Sequence, residues 1–319
     1  MKRYLLLPLF WITTYPAFAG PFTIAPVKGN LTATWKGDAG AVVAGAPTDE
    51  DIAALASNTE LHTIEITGCT TLTGKGFAAL KDLPKLRSIS FNGAGPERFS
   101  ALFGGNLEGY AALGQLKQVT VLSCGHVRLP TEGAVTLLVQ MTSLETFNPG
   151  TYADDRILEA ATKAPSLRQL SFGHWATEPD PKLTMTGVGH YSKMMKLESL
   201  QPGQLRPADG SQADLITALS KIPSLKSMKL QVNAKTSLEN RGHPKDLYAA
   251  KPSDLMPFAE FAGLTTLILN GVIIPEGGLA SFAKIASLKT LRFENSNIPE
   301  SEVSALKKLR PELIVTVAK

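Results

Sequence analysis

The sequence predicts an α/β solenoid built from stacked strand-and-helix repeats. Three observations predict this fold. A leucine is followed by apolar or proline residues three and five positions later in nine successive units. Each unit holds a short alternating stretch typical of a strand, such as Ile64-Glu65-Ile66. The return segments space their leucines three apart, as in Leu80, Leu83 and Leu86, which favours a helix or helical turn. A self-similar period of about 20–50 residues indicates stacked repeats rather than a compact globule.

The pattern also supplies a register for the chain. It is most regular in Leu83-x-x-Leu86-x-x-Ile89-x-Phe91 and in Leu113-x-x-Leu116-x-x-Val119-x-Val121. Counting the central leucine as position 0, positions 3 and 5 point inward and positions 2, 4 and 6 point outward. Pro149 and Pro202 fall within strands and predict that these two strands are short. The nine units are predicted to start at Leu61, Leu86, Leu116, Leu144, Leu167, Leu197, Leu225, Leu264 and Leu288.

The repeat resembles the leucine-rich-repeat family. Leu61, Ile64, Ile66 and Cys69 match its consensus and are followed by Leu72-Thr73-Gly74-Lys75-Gly76. This unit is similar to the cysteine-containing, ribonuclease-inhibitor-like subclass. The resemblance implies a curved parallel β-sheet on the concave side, with helices and turns on the convex side.

The N-terminus has the features of a secretory signal peptide, predicted over residues 1–19. Lys2 and Arg3 precede a short apolar stretch, and Ala17-Phe18-Ala19 provides a small-x-small cleavage pattern. We therefore expect an exported protein, periplasmic or extracellular, cleaved near Ala19. The apolar stretch is too short to span a membrane. Loss of the two basic residues lowers the formal net charge from +4 to +2, which argues against nucleic-acid binding.

The rest of the chain is predicted to divide into two parts. Residues 20–57 are expected to form an N-terminal cap, with a hairpin around Lys28-Gly29-Asn30 and a helix N-capped near Thr48. Residues 58–319 hold about nine repeats and a closing strand at Leu313 to Val317. A glycine-rich insert at 93–114 is expected to be tucked down by Phe99, Phe103 and Tyr110. A second, basic insert lies near 232–257.

The sequence contains no catalytic or metal-binding motif that would predict an enzyme, and no cofactor is expected. The motifs H-E-x-x-H, G-x-S-x-G and the phosphate-binding loop are missing, and the five histidines are scattered. Cys69 and Cys124 take the same predicted offset two units apart, a separation of roughly 10 Å. Since a disulfide needs alpha carbons within about 7 Å, both are predicted to be buried free thiols.

The outward positions predict a non-enzymatic module that binds a protein partner. The row is polar and carries only four charged residues, three of them near its C-terminal end. Protein interfaces favour arginine and aromatic anchors, and long loops inside a compact array tend to be either functional or disordered. The candidate partner-binding residues are Lys229, Gln231, Asn270, Arg292 and Glu294 in the row, and Arg241, His243, Lys245 and Tyr248 in the insert.

An alternative is a carbohydrate- or cell-envelope-binding module. Its candidate residues form an aromatic and histidine rim after strands three to five: His126, Tyr152, His174 and Trp175. Such a cluster can stack on a sugar, although the same offset often packs inward. A monomer is expected under either hypothesis.

Overall fold

The computed structural model describes residues 21–36, 46–68, 72–93, 100–150, 153–172, 183–203, 208–231 and 248–318. The predicted signal segment, Cys69 and Phe99 lie outside these ranges.

Strands recur along the whole described part of the chain. They are β1 (Thr23–Val27), β2 (Asn30–Lys36), β3 (Leu61–Thr67), β4 (Ser88–Asn92), β5 (Val121–Gly125), β6 (Thr146–Asn148), β7 (Gln169–Ser171), β8 (Ser199–Gln201), β9 (Ser227–Gln231), β10 (Tyr248–Ala249), β11 (Thr266–Asn270), β12 (Val272–Ile273), β13 (Thr290–Glu294) and β14 (Ile314–Ala318).

Twelve of the strands in the described ranges form one sheet in the order β1-β2-β3-β4-β5-β6-β7-β8-β9-β11-β13-β14. All neighbours from β2 onward are parallel, and β1 pairs antiparallel with β2 in the predicted hairpin. Each predicted repeat contributes one strand, and the predicted closing segment contributes β14. Strand order that follows chain order, one strand per repeat, is the architecture of an α/β leucine-rich-repeat solenoid. This confirms the predicted fold class.

Short helices connect the strands. They are α1 (Asp49–Ala54), α2 (Leu107–Gly114), α3 (Thr131–Gln140), α4 (Asp155–Ala161), α5 (Met185–Gly189), α6 (Gln212–Leu219), α7 (Pro252–Leu255), α8 (Ala280–Ala283) and α9 (Glu300–Leu309). The predicted cap at Thr48 is confirmed, since Thr48 forms a capping box with Asp51. The Asp154 side chain caps α4 by accepting a hydrogen bond from the backbone of Ile157.

The sheet lies on the concave side because the distance between its neighbouring strands is smaller than the distance between packed helices. Neighbouring strands lie about 4.8 Å apart, whereas packed helices need about 8–10 Å. A stack with both layers therefore bends with its helices and turns outside. Position 3 faces the space between the layers: Ile64, Ile89, Phe147 and Met228 are fully buried there. Burying one such side chain stabilises the fold by about 1.5–3 kcal/mol.

The third repeat is shifted by three residues from its predicted register. Val121 pairs with Ser88 and Leu122 pairs with Ile89, so Val119, not Leu116, occupies position 0. Leu116, Val119 and Leu122 are all fully buried, while Val121 is partly exposed. The predicted register was wrong because apolar residues occur at every third position from Leu113 to Leu122. The repeat pattern therefore fits this segment in two registers that differ by three residues. The true unit is Leu116-x-x-Val119-x-x-Leu122-x-Cys124.

This shift changes the account of Cys124. The residue lies at position 5 of β5, opposite Phe91, rather than in the turn after the strand. Its side chain is 1% exposed and its thiol is free, and burial raises its pKa strongly. The predicted buried free thiol is therefore confirmed for Cys124, but its supposed equivalence with the offset of Cys69 was wrong.

The two inserts differ in how they join the stack. Phe103 and Tyr110 of the glycine-rich insert are buried as predicted, and Phe103 packs on Phe77 and Phe91 with ring centroids 5.8 and 5.6 Å apart. The end of the second insert forms β10, which pairs with β12 in a separate two-stranded sheet. Strands β6 and β8, which precede Pro149 and Pro202, have three residues each, as predicted.

Carboxylates tie neighbouring repeats together. Asp49 accepts hydrogen bonds from the Thr73 backbone (3.0 Å), the Thr73 hydroxyl (2.7 Å) and the Gly76 backbone (3.0 Å) of the following unit. Asp155 accepts in the same way from the backbone (2.8 Å) and hydroxyl (2.6 Å) of Thr184. Each carboxylate thus satisfies donors at the start of a neighbouring helical turn, where the backbone N–H groups have no partner within the turn itself.

The Asp49 contacts predict an acid-sensitive contribution to stability. Burial alone would raise the pKa of Asp49, but the hydrogen bonds from Gly76 and Thr73 together hold it below the ordinary value of 3.8. A lowered folded-state pKa stabilises the protein above the ordinary pKa, and this contribution is lost as pH falls through the lowered one. We expect Asp49→Asn to lower the free energy of unfolding by about 1–3 kcal/mol at pH 7.

Urea unfolding at pH 7 and near pH 2.5 checks this expectation, because the difference between wild type and Asp49→Asn should shrink at the lower pH. Glu50→Gln is the matched control, since Glu50 is an exposed carboxylate in the same first helical turn. An equal loss for Asp49→Asn at both pH values would contradict the proposed role of the charge.

Candidate functional site

The concave surface is mostly polar and uncharged. In register along its centre lie Glu65 of β3, Ser90 of β4, Ser123 of β5 and Asn148 of β6. In the third repeat the outward residues are Val121, Ser123 and Gly125. The predicted start of this unit at Leu116 would instead place Gln118, Thr120 and Leu122 at the outward positions 2, 4 and 6, which was wrong because of the three-residue shift. The N-terminal part of this surface therefore presents short side chains and few anchors for a partner.

The C-terminal part carries a cluster of charged and amide side chains, which we call the concave cluster: Lys229, Asn270, Arg292 and Glu294. Strands β9, β11 and β13 position it, because they pair in register without shifts. Lys229 and Arg292 occupy position 4 on either side of Ile268, and Asn270 and Glu294 occupy position 6. The structure therefore brings together four of the residues predicted to bind a partner.

Glu294 is the centre of the concave cluster. Its carboxylate accepts a hydrogen bond from Lys229 Nζ at 2.8 Å, although β11 lies between the two strands. Arg292 Nε lies 3.0 Å from Glu294 Oε1, and Asn270 Nδ2 donates to Glu294 Oε2 at 3.3 Å. One carboxylate thus fixes three side chains across three strands.

Burial differs sharply within the concave cluster. The side chain of Glu294 is 17% exposed and Asn270 is 8% exposed, whereas the side chains of Lys229 and Arg292 are 36% and 49% exposed. The anion is therefore sheltered and the two cations face the solvent. With two positive charges and one negative charge, the concave cluster carries a net charge of +1.

The pKa of Glu294 reflects these contacts. The hydrogen bond from Lys229 is the main cause that lowers it, and the charges of Lys229 and Arg292 add to this effect against the opposing effect of burial. The carboxylate therefore stays ionised to a lower pH than an ordinary glutamate, and the cluster keeps its geometry in mildly acidic solution.

Asn295 is part of the same region but was not predicted from the sequence. It follows β13 with a positive φ of 45°, and its amide nitrogen is 3.5 Å from Asn270 Oδ1. The available signal was an asparagine directly after a strand, since asparagine adopts the left-handed region more readily than most residues. That signal predicts a turn but does not predict which side chain it will approach.

The structure describes the remaining predicted partner-binding residues only in part. Arg241, His243 and Lys245 lie outside the described residues, as do the side chains of Gln231 and Tyr248. The backbone of Gln231 ends β9 beside Asn270, and the backbone of Tyr248 belongs to β10. The structure therefore places Gln231 next to the concave cluster in sequence register, and leaves the insert residues as predictions.

Of the four residues of the predicted aromatic and histidine rim, His126 lies within the described ranges. Its Nδ1 lies 3.0 Å from Asn92 Oδ1 of the preceding repeat, and its φ is 57°. Tyr152, His174 and Trp175 lie outside the described residues. The described geometry of His126 is that of a contact between repeats.

The described part of the chain contains neither a metal-binding cluster nor a membrane-spanning helix. No group of three or more histidine, cysteine, aspartate or glutamate residues there has the arrangement needed to hold a metal ion. Among the same residues, no helix has both the length and the apolar character needed to cross a membrane.

Comparison with known proteins does not identify a relative that could assign a ligand. No protein-family model matches the chain, and no curated protein matches it. A solved structure described as a crystal structure of a TLR13–ssRNA13 complex aligns with 12% sequence identity and a TM-score of 0.45. The alignment covers 84% of this chain and 34% of that chain, so this chain spans about a third of its length. The fold assignment rests on strand order and register, not on this alignment.

Proposed function

We propose that this chain is a non-enzymatic leucine-rich-repeat module that binds a protein partner through the concave cluster. The observation that carries this proposal is the joint placement of Lys229, Asn270, Arg292 and Glu294 on three neighbouring strands. Parallel repeats give the sheet a rigid backbone, so these side chains are held in place before a partner arrives. Preorganisation of this kind reduces the entropy lost on binding.

The charge distribution supports a partner segment that carries a carboxylate. Arg292 and Lys229 are the two more exposed members of the concave cluster, and arginine is enriched among the residues that dominate protein interfaces. A partner carboxylate would replace part of the contact between Glu294 and the two cations. The short serine, threonine and asparagine side chains on the preceding strands allow an extended segment to lie across the sheet.

We also propose that the module acts outside the cytoplasm, after cleavage near Ala19. This part of the proposal rests on the sequence of residues 1–19 alone. The intact mass of the chain recovered from its native host checks it: a chain that retains residues 1–19 would contradict export by cleavage.

Site-specific photo-crosslinking in the native host tests the proposed binding surface. A photoreactive amino acid at Thr290, an outward residue on β13 two positions before Arg292, is expected to capture a discrete partner. The same amino acid at Lys284, which is exposed at the end of α8, is the matched control on the convex side. Capture from Lys284 with none from Thr290 would overturn the assignment.

A further inference from the structure

The last strand of the sheet presents an unpaired edge in the described part of the chain. The Ile314 N–H donates to Lys289 O, and Ala318 O accepts from Asn295 N, so both residues direct their backbone groups towards the β13 side. Neighbouring residues of a parallel strand direct these groups to alternate sides. Val315 and Val317 therefore point their N–H and C=O groups away from β13, where no described strand meets them.

Apolar side chains accompany this edge. Ile314 is 59% exposed and Val317 is 43% exposed, and Leu309 at the end of α9 is 61% exposed. Within the described residues, these are three of the eight large apolar side chains that are exposed. An exposed, apolar strand edge is a template for pairing with another strand.

We propose that β14 pairs with β14 of a second copy of this chain, antiparallel, about a two-fold axis at Thr316. The strand is self-complementary in this register. Val315 meets Val317 of the other copy on one face, and Ile314 meets Ala318 on the other face. Val315 and Val317, whose backbone groups point away from β13, then each form a hydrogen-bonded pair with the other copy, which gives four backbone hydrogen bonds. Thr316 meets Thr316 of the other copy in a non-hydrogen-bonded pair.

The charges of α9 favour a second copy over an unrelated strand. Its first turn carries Glu300 and its last turn carries Lys307 and Lys308, all exposed. A two-fold axis normal to the sheet keeps both α9 helices on the convex side and makes them antiparallel. Glu300 of each copy then lies towards the two lysines of the other, so opposite charges meet twice in the assembly.

The other edge of the sheet argues against head-to-tail stacking of copies. Strand β1 runs antiparallel to its neighbour and contains Pro26, which has no N–H to donate. Proline on an edge strand is a common way to prevent pairing. Association through β14 alone closes as a dimer, and it differs from the monomer expected from the sequence.

The dimer would bring two concave clusters onto one continuous sheet. Arg292 lies one strand from the edge, so the two copies of Arg292 would be separated by three strand spacings, roughly 14 Å. A partner with two carboxylate-bearing segments would then bind both clusters at once. This consequence rests on the proposed function, whereas the dimer itself does not.

A cysteine placed on the two-fold axis tests the dimer. Alpha carbons in a non-hydrogen-bonded antiparallel pair are about 4.5 Å apart, which a disulfide can bridge. In a Cys69→Ser background, Thr316→Cys in the full chain is expected to form a covalent dimer under mild oxidation. Thr290→Cys is the matched control, because it lies one strand inward and faces the same side. Equal cross-linking of both variants, or of neither, would overturn the proposal.

Sedimentation of the chain without added cysteines provides a second test. The wild type is expected to be a dimer at about 10–50 μM, in the micromolar range of a modest interface. Val317→Pro removes an N–H that points away from β13, and is expected to give a folded monomer whose melting temperature, unlike that of the wild type, does not rise with protein concentration. Glu300→Lys is expected to weaken the dimer several-fold, and its combination with Lys307→Glu to restore it. A monomeric wild type at these concentrations would overturn the proposal even if the concave cluster binds its partner.

Discussion

Leu122→Ala is expected to lower the free energy of unfolding by about 2–5 kcal/mol, the usual cost of truncating a fully buried leucine. Leu122 is completely buried at position 3 of the third repeat, opposite Ile89. Val121→Ala is the matched comparison, because Val121 is the adjacent strand residue and points to the concave surface. Its truncation should cost about 1 kcal/mol or less. Equilibrium unfolding in urea measures both values.

This pair of variants distinguishes the two possible registers of the third repeat. If the pattern beginning at Leu116 were correct, Val121 would be inward and Leu122 would face the solvent. Val121→Ala would then be the costly variant. A larger loss for Val121→Ala than for Leu122→Ala would therefore contradict the observed register of β5.

Gly150→Ala is expected to destabilise the fold by about 3–5 kcal/mol, in the range that indicates overpacking and backbone strain. Gly150 has a φ of +64°, and a Cβ there would lie 2.0 Å from Val127 O and 2.4 Å from Cys124 O. Both oxygens belong to the backbone of the preceding repeat, so neither can rotate away. The alanine would therefore force two neighbouring units apart.

Gly104→Ala separates the two causes of this loss. Gly104 has a similar φ of +59°, but no atom lies within 4 Å of the position that a Cβ would take. Its replacement should cost about 1–2 kcal/mol, the strain of a left-handed alanine alone. Thermal unfolding of both variants gives the comparison. Equal losses would show that backbone strain, rather than contact between repeats, limits position 150.

The fold could be predicted because the same apolar spacing recurs in every unit. A stacked core needs an apolar residue at each inward position, and Leu267 with Leu269 or Leu291 with Phe293 satisfy this need unambiguously. The register of one unit could not be predicted. Between Leu113 and Leu122 apolar residues occur every third position, and only strand pairing with β4 selects the phase.

The candidate site could be located from the sequence but its geometry could not. Equal offsets place Lys229, Arg292, Asn270 and Glu294 on one face, because parallel strands in register align equal positions. The offsets do not show that the long side chain of Lys229 reaches across β11 to Glu294. They also do not show that Glu294 is sheltered while the cations are exposed, since this depends on side-chain direction.

The edge at β14 shows a similar limit. Alternation from Leu313 to Val317 predicted the strand, and the structure confirms it. Which backbone groups remain unpaired depends on its pairing with β13, and the exposure of Ile314 and Val317 depends on how the neighbouring described elements pack against this strand. Neither can be read from a pattern that is shared by every strand in the stack.

The central claim is that the concave cluster binds the partner. The dissociation constant for the partner identified by photo-crosslinking, measured with the free protein, tests this claim most directly. The double variant Lys229→Ala/Arg292→Ala is compared with Lys196→Ala/Lys284→Ala, which removes the same charge from two exposed lysines off the concave strands. Calorimetric titration is expected to show at least a tenfold weaker affinity for the first variant, about 1.4 kcal/mol, and no change for the second. Equal affinity of the two variants would contradict the account.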